Sequence, residues 1–423
     1  MKRSVLGIIF TLIVTMAAMG AGQKQTIRVA TQTLDPKKSV MLSVIKQFEK
    51  DNPQIKIELE ESPGNDLITK INTDIMGDNT PDIFTFWRPE AKWNVDKYVA
   101  KGALADLTDL VKTDAFFKDL FPDYAWRTAT LSGKVYCIPR LNFYVEFLVN
   151  KKIFDANGIP LPTDWNKLVN AVQQLKAKRI IPWAVDTKEG LDDSSRLFNA
   201  IINRAVGNAK GLELLKGNES FLQKDVMQAL TYFHQLVPGN APEDASTLDF
   251  NQAITKYFNT GKAGMLLGNA AQVDTNLTAE IMNDLVALDF PLTPTAVIAK
   301  PSAEQDVTNL VYVGAKGYAD KNKQKYIVEL VKLLVGDATA KRMAEEERAI
   351  VPNLKVVIDP AKVSDLQRSA SKLAKNAPGD KWLLSYAKQK PVNDFRIAIN
   401  EFWKGQVSPE QLAQKLEDAL YKK

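Results

Sequence analysis

Apolar positions along the first third of the chain alternate between two periods. Thr26-Ile27-Arg28-Val29-Ala30 is a short β-branched run, and Asp35-Pro36 then reads as a helix cap with proline in the first turn. Val40, Val44 and Phe48, flanked by Met41 and Ile45, make one apolar helical face that Asn52-Pro53 ends. Ile55, Ile57 and Leu59 alternate with polar residues at strand period. Leu67, Ile68, Ile71 and Ile75 mark another helix, Gly77 to Pro81 a turn, and Ile83 to Phe86 a further strand. This βαβαβ order predicts an α/β lobe built on a parallel sheet.

The pattern resumes beyond Pro139. Phe147-Leu148-Val149 reads as a strand, and Thr163 as the cap of a helix carrying Trp165, Leu168, Val169, Val172 and Leu175. Further strands are expected at Pro182 to Val185, Met265 to Leu267, Val286 to Phe290 and Leu310 to Val313, with helices at Arg196 to Val206 and Phe250 to Asn259. From Asp320 onward the pattern is almost wholly helical. The last helix opens on the capping box Ser408-Pro409-Glu410-Gln411, with Leu412, Leu416 and Leu420 as its apolar stripe. No repeat, low-complexity tract or Gly/Ser linker interrupts the chain, which argues for lobes joined by several short crossings.

The first 22 residues read differently. Lys2 and Arg3 precede an uncharged run from Val5 to Ala18, and small residues Gly20, Ala21 and Gly22 follow. That is the layout of a cleaved export signal, shorter than a membrane span of about 20 residues. No cysteine stands at its end to take a lipid, so a free periplasmic protein is expected. The formal charge of +5 falls to about +3 without Lys2 and Arg3, too little to argue for nucleic acid or an acidic membrane. Glu345-Glu346-Glu347 reads as a solvated helix face. The single cysteine, Cys137, has no disulfide partner and sits in an apolar run, where a buried thiol is expected. The single histidine, His234, is read as structural. One His and one Cys cannot build a zinc site and are a weak basis for a nucleophile–base pair, so no cofactor or metal is expected.

The segment KVYCIPRLNFYVEFLVNKKIFDANGIPLPTDWNKLV, Lys134 to Val169, resembles the central signature of the family 1 extracellular solute-binding proteins, which includes maltose-binding proteins. Tyr136, Pro139, Asn150, Lys151, Phe154, Gly158, Pro162, Thr163, Trp165 and Leu168 carry the match, and Val149 departs from it where the family usually has tyrosine. TPDIFTFW, YVAKGALADLTDLV, AITKYFNTGKAGMLLGN and LDFPLTP are similar to other family segments in the same order. The resemblance implies a two-lobed periplasmic-binding-protein fold, each lobe a mostly parallel sheet flanked by helices. Two or three crossings near Pro139-Arg140, near Phe290-Pro291 and after Tyr326 would hinge it. One lobe would take residues 23–139 and 288–335, the other 140–287 and 336–423. It implies a monomer that captures a sugar or oligosaccharide by lobe closure and hands it to the permease subunits of an ABC importer, without catalysis.

A sugar needs aromatic faces for its ring and amides, carboxylates or guanidinium groups for its hydroxyls. Trp87, Arg88 and Glu90 follow a strand end and are placed in the cleft. Arg140, Asn142, Tyr144 and Glu146 follow the first crossing, where a ligand wall and a solvated hinge fit equally. Trp183 fits a lobe core as well as a stacking platform. Asn269 and Gln272 occupy a loop where the family commonly carries a sugar-stacking tryptophan. Its absence here points to a more polar or smaller ligand. Asn309 is read as a ligand contact or a turn cap. Arg348 is placed near the cleft or in a salt bridge to Glu345. Trp382 is a further candidate without firm placement. Two rivals stay open: the same fold binding a phosphorylated or amine-bearing solute, and a secreted glycoside hydrolase drawing two carboxylates from Glu90, Glu146, Asp186 and Asp274.

Overall fold

A computed structural model describes residues 24–34, 39–87, 95–188, 194–376 and 389–421. The expected export signal, Asp35-Pro36, Arg88, Glu90 and Trp382 lie outside these residues.

Ten strands are described: β1 Gln25–Gln32, β2 Ile55–Ser62, β3 Ile83–Trp87, β4 Thr130–Leu131, β5 Lys134–Val135, β6 Cys137–Asn150, β7 Ile181–Trp183, β8 Ala263–Asn269, β9 Leu285–Leu288 and β10 Gln305–Val313. The order across the main sheet is β2-β1-β3-β10-β6-β8-β7, with β9 also paired to β6, while β4 and β5 form a separate hairpin. β1 pairs in parallel with β2 and β3, as does β7 with β8, and β10 lies antiparallel between β3 and β6. The molecule is a mixed α/β protein of two lobes.

β6 ties the lobes together. It runs unbroken for 14 residues, although Pro139 within it signals a break. Proline brings no N–H to a ladder and is tolerated where pairing is irregular. Leu310, its partner, stands at a register shift in β10. Cys137 and Ile138 pack into one hydrophobic core with β1, β2, β3 and β10, while Phe143, Val145, Phe147 and Val149 pack into the other.

The packing draws the lobe boundaries differently from the sequence reading. Phe290 belongs to the second core and Val297 N–H donates to Arg204 O, so the stretch after residue 288 stays with the second lobe until β10. The helix Asp337–Glu346 packs Ala340, Met343 and Ala344 against Val40 of the first lobe, and Arg342 Nη1 donates to Ser43 Oγ. Helical period reports which face of this helix is buried, but not against which lobe.

Local details also shift. The first long helix, Val40–Asp51, is capped by Ser39, whose hydroxyl accepts from Leu42 N–H. Asp164 rather than Thr163 caps Trp165–Ala177, accepting from Lys167 N–H. The Phe250 helix lasts four residues before a π turn, Ile254–Phe258, takes over. The Ser408 box forms as expected, with Gln411 and Ser408 satisfying each other's backbone N–H. Cys137 is buried, and His234 is exposed on its helix with its ring edge toward Phe402. The acidic triplet is tied down: Glu345 accepts from Asp359 N–H, Glu346 pairs with Arg342, and Glu347 accepts from Val40 N–H.

Candidate functional site

Strand alternation along β6 sends Phe143, Val145 and Phe147 into the second core, leaving Arg140, Asn142, Tyr144 and Glu146 on the opposite face. This face crosses from one lobe to the other, and its four polar residues have different fates.

Arg140 is buried, with Nη1 donating to Asn309 Oδ1 at 3.2 Å and Nη2 to Met343 Sδ. Burial pulls its pKa down to about 10, against the opposing influence of Glu347. Asn142 donates through its amide to the Tyr124 hydroxyl, which donates in turn to Ala374 O at 2.7 Å. Its own backbone N–H donates to Ile350 O at 2.7 Å. Both side chains thus brace the junction from the inside.

Tyr144 and Glu146 reach a cavity of about 430 Å³. Arg196, Asn199, Asn203 and Arg204 of the helix Arg196–Val206 also line it, with Asp289 and Phe290 after β9 and Glu304 before β10. The cavity lies on the second lobe beside the crossing, with Val145, Phe147, Leu267 and Phe290 of the second core in its lining, and its size suits a small solute. Arg196 Nη1 bonds Glu304 Oε1 at 2.9 Å, and Asn199 Nδ2 bonds Oε2 at 2.5 Å. Arg204 donates to the carbonyls of Ala200, Phe290 and Ser302 and lies 5.0 Å over the Phe290 ring. The Val145 N–H to Glu304 O bond at 2.9 Å closes this network onto β6.

Glu146 is 5 % exposed and has no hydrogen-bond or ion-pair partner among the described residues. Desolvation, reinforced by Asp274, raises its pKa to about 8. Tyr144 shifts upward as well, first through burial and then through Glu146 and Asp289, so the two carboxyls share its surroundings. The raised Glu146 pKa has a consequence for stability. Between about pH 4.5 and 8 the folded protein keeps a proton that the unfolded chain releases, so stability falls as pH rises through that window. Glu146→Gln should flatten this slope and raise stability at pH 8 by about 2 kcal/mol, less than the full linkage because the cavity admits water. Urea unfolding at pH 5 and pH 8 checks it; an unchanged slope would remove the perturbed carboxyl.

The remaining candidates divide. Trp87 closes β3 with its Cα paired to Asn309, so that strand end meets the crossing. Asn309 accepts from Arg140 and does not line the cavity. Asn269 caps the helix Ala270–Asn276 by accepting from Ala271 N–H, and Gln272 donates to Asn251. Trp183 is buried in the second core, its indole N–H donating to Leu236 O at 2.9 Å, so it offers no face to a ligand. Arg348 pairs with Asp274 at 3.1 Å instead of Glu345, from a backbone at φ 57°. Asp274 also accepts from Ser364, so each of its carboxylate oxygens is held by the protein. No described group of three or more His, Cys, Asp or Glu residues could hold a metal ion.

Arg196, Asn199, Asn203, Arg204, Asp289 and Glu304 were not anticipated. Arg196, Asn199 and Asn203 stand at i, i+3 and i+7 in a helix that is otherwise largely apolar, a polar stripe on one helical face that points inward. That stripe was the available signal. Asp289 and Glu304 carry none.

The cavity's place in a two-lobed frame accords with the comparisons. Residues 31–341 match the model of the bacterial extracellular solute-binding protein family. The multiple sugar-binding protein of Streptococcus mutans is 26% identical over 195 residues, covering 45% of this chain and 44% of that protein. The chain thus spans less than half the length of that relative. A chitin oligosaccharide binding protein of solved structure superposes with a TM-score of 0.76 at 20% identity, over 94% of this chain and 98% of that one. A probable secreted solute-binding lipoprotein from Streptomyces coelicolor superposes with a TM-score of 0.79 at 18% identity, over 94% and 98%. These two likenesses concern the fold. No described helix is long and apolar enough to cross a membrane. With the family model matched across most of its length, this chain belongs to the bacterial extracellular solute-binding protein family.

Proposed function

We propose that this protein is exported, captures a carbohydrate in the cavity beside its lobe crossing and delivers it to the permease subunits of an ABC importer. The observation that carries this reading is the polar cavity beside the lobe crossing, where Glu146 and Asp289 hold acceptor oxygens for hydroxyls and Tyr144 supplies an aromatic ring. The names of the sugar-binding relatives support the substrate class. Lobe closure is the expected mechanism: a ligand seated on the second lobe gains contacts from the first as the lobes close, which stabilises the closed state over the open one. The protein works as a monomer, and its role ends at release to the permease without bond cleavage.

Thermal unfolding against a panel of mono- and oligosaccharides tests this directly. A bound sugar at about 1,000 times its dissociation constant should stabilise the native state by about 4 kcal/mol, a shift of several degrees. The absence of a shift with any carbohydrate would sink the sugar assignment. Release of reducing sugar from an oligosaccharide would make the protein a hydrolase.

A further inference from the structure

The polar groups around the cavity are not equally available. Arg196 and Asn199 are committed to Glu304, and Arg204 is held by backbone carbonyls. The cationic side chains of the lining therefore spend these donors on the protein itself. The carboxyls divide the other way. Glu146 is 5 % exposed and has no partner among the described residues, and Asp289 is exposed at the cavity with no ion pair described. The charge that acts on Glu146 is the carboxylate of Asp274, which is paired with Arg348. Tyr144 lines the same cavity, and both acids act on its hydroxyl. A buried carboxyl is costly to ionise without a cation beside it, and a positive charge placed between two carboxyls offsets that cost.

We propose that the ligand supplies that charge: the cavity takes a solute bearing a basic amine, its ammonium held between Glu146 and Asp289 beside the Tyr144 hydroxyl. This rests on the cavity being the capture site and names the ligand's chemistry, an amino-substituted sugar rather than a neutral one. The two carboxylates accept from the ammonium, and the network around Arg204 and Glu304 keeps the opposite wall rigid. Binding also moves a proton. Glu146 titrates near pH 8 in the empty cavity, so at pH 7 it is mostly protonated, and an ammonium beside it drives that proton to solvent. Ligand binding at pH 7 should therefore release a proton from Glu146. A neutral sugar releases none.

The test uses matched pairs in calorimetric titration of the full chain: glucose with glucosamine, galactose with galactosamine, and N-acetylglucosamine as a nitrogen-bearing neutral control. Putrescine and spermidine serve as amines without a sugar. Titrations in phosphate and in Tris at pH 7 give the protons released. The expected result is at least about 10-fold tighter binding of an amine than of its hydroxyl or acetylated counterpart, with proton release. Glu146→Gln and, separately, the surface change Asp289→Asn should each reduce that preference, with folding checked by thermal unfolding. Neutral sugars binding as tightly as their amines would overturn the amine and leave sugar capture standing. Polyamines binding while every sugar fails would support the amine and overturn the sugar. No binding by any probe would remove both.

Discussion

Trp183→Ala should lower the unfolding free energy by about 3–5 kcal/mol and leave ligand affinity of the folded protein unchanged. Trp183 is 1 % exposed and packs with Phe147 at 6.0 Å between ring centroids, so truncation opens a large cavity in the second lobe. Trp183→Phe separates packing from the indole hydrogen bond. Leu236 O also accepts from Asn240 Nδ2 at 3.0 Å, so it keeps a partner when the indole is lost. The phenylalanine variant should therefore cost only about 1–2 kcal/mol. Denaturant unfolding with a parallel titration decides between this role and a stacking platform. Lost affinity at unchanged stability would return Trp183 to the ligand.

The second large effect is expected at Glu304. Its carboxylate holds Arg196 and Asn199, and both members of the ion pair are buried. Glu304→Ala strands a buried guanidinium and should cost about 3–5 kcal/mol. Removing both charges, as Arg196→Met with Glu304→Leu, should recover most of that loss, because the expense lies in the unpaired ion. The double variant should still bind ligand poorly, since it replaces polar lining with apolar side chains. Equal destabilisation of the single and double variants in urea would show that the pair itself, rather than the stranded charge, sets the cost.

The sequence patterns reported faces well and partners poorly. β1, β2, β3 and β8 were legible from short β-branched or alternating runs, because each buries the side chains that such runs supply. β6 was seen only in its last third. Its polar half, Arg140 to Glu146, alternates across the lobe crossing, where burial on both faces hides the period. The site divided in the same way. Tyr144 and Glu146 were named because they follow the crossing, and they do line the cavity. Arg140 and Asn142 follow it too, and Asn309 was read as a ligand contact or a turn cap, yet their hydrogen bonds turn inward to brace the junction. Sequence neighbours cannot be sorted into wall and brace without knowing that Met343, Ile350 and Ala374 return to the same place. Asp289 falls within the run read as a strand from Val286 to Phe290, and Glu304 just before the strand at Leu310, but neither position carries a signal that separates a cavity wall from a strand end.

The most direct measurement of the central claim is a calorimetric titration of the wild type and of Asp289→Ala against whichever saccharide most raises the unfolding temperature. Saturable one-to-one binding by the wild type, weakened at least about 10-fold in the variant while its fold persists, is the result expected of capture at the lobe junction. Equal affinity in the two proteins would contradict it and place the ligand elsewhere.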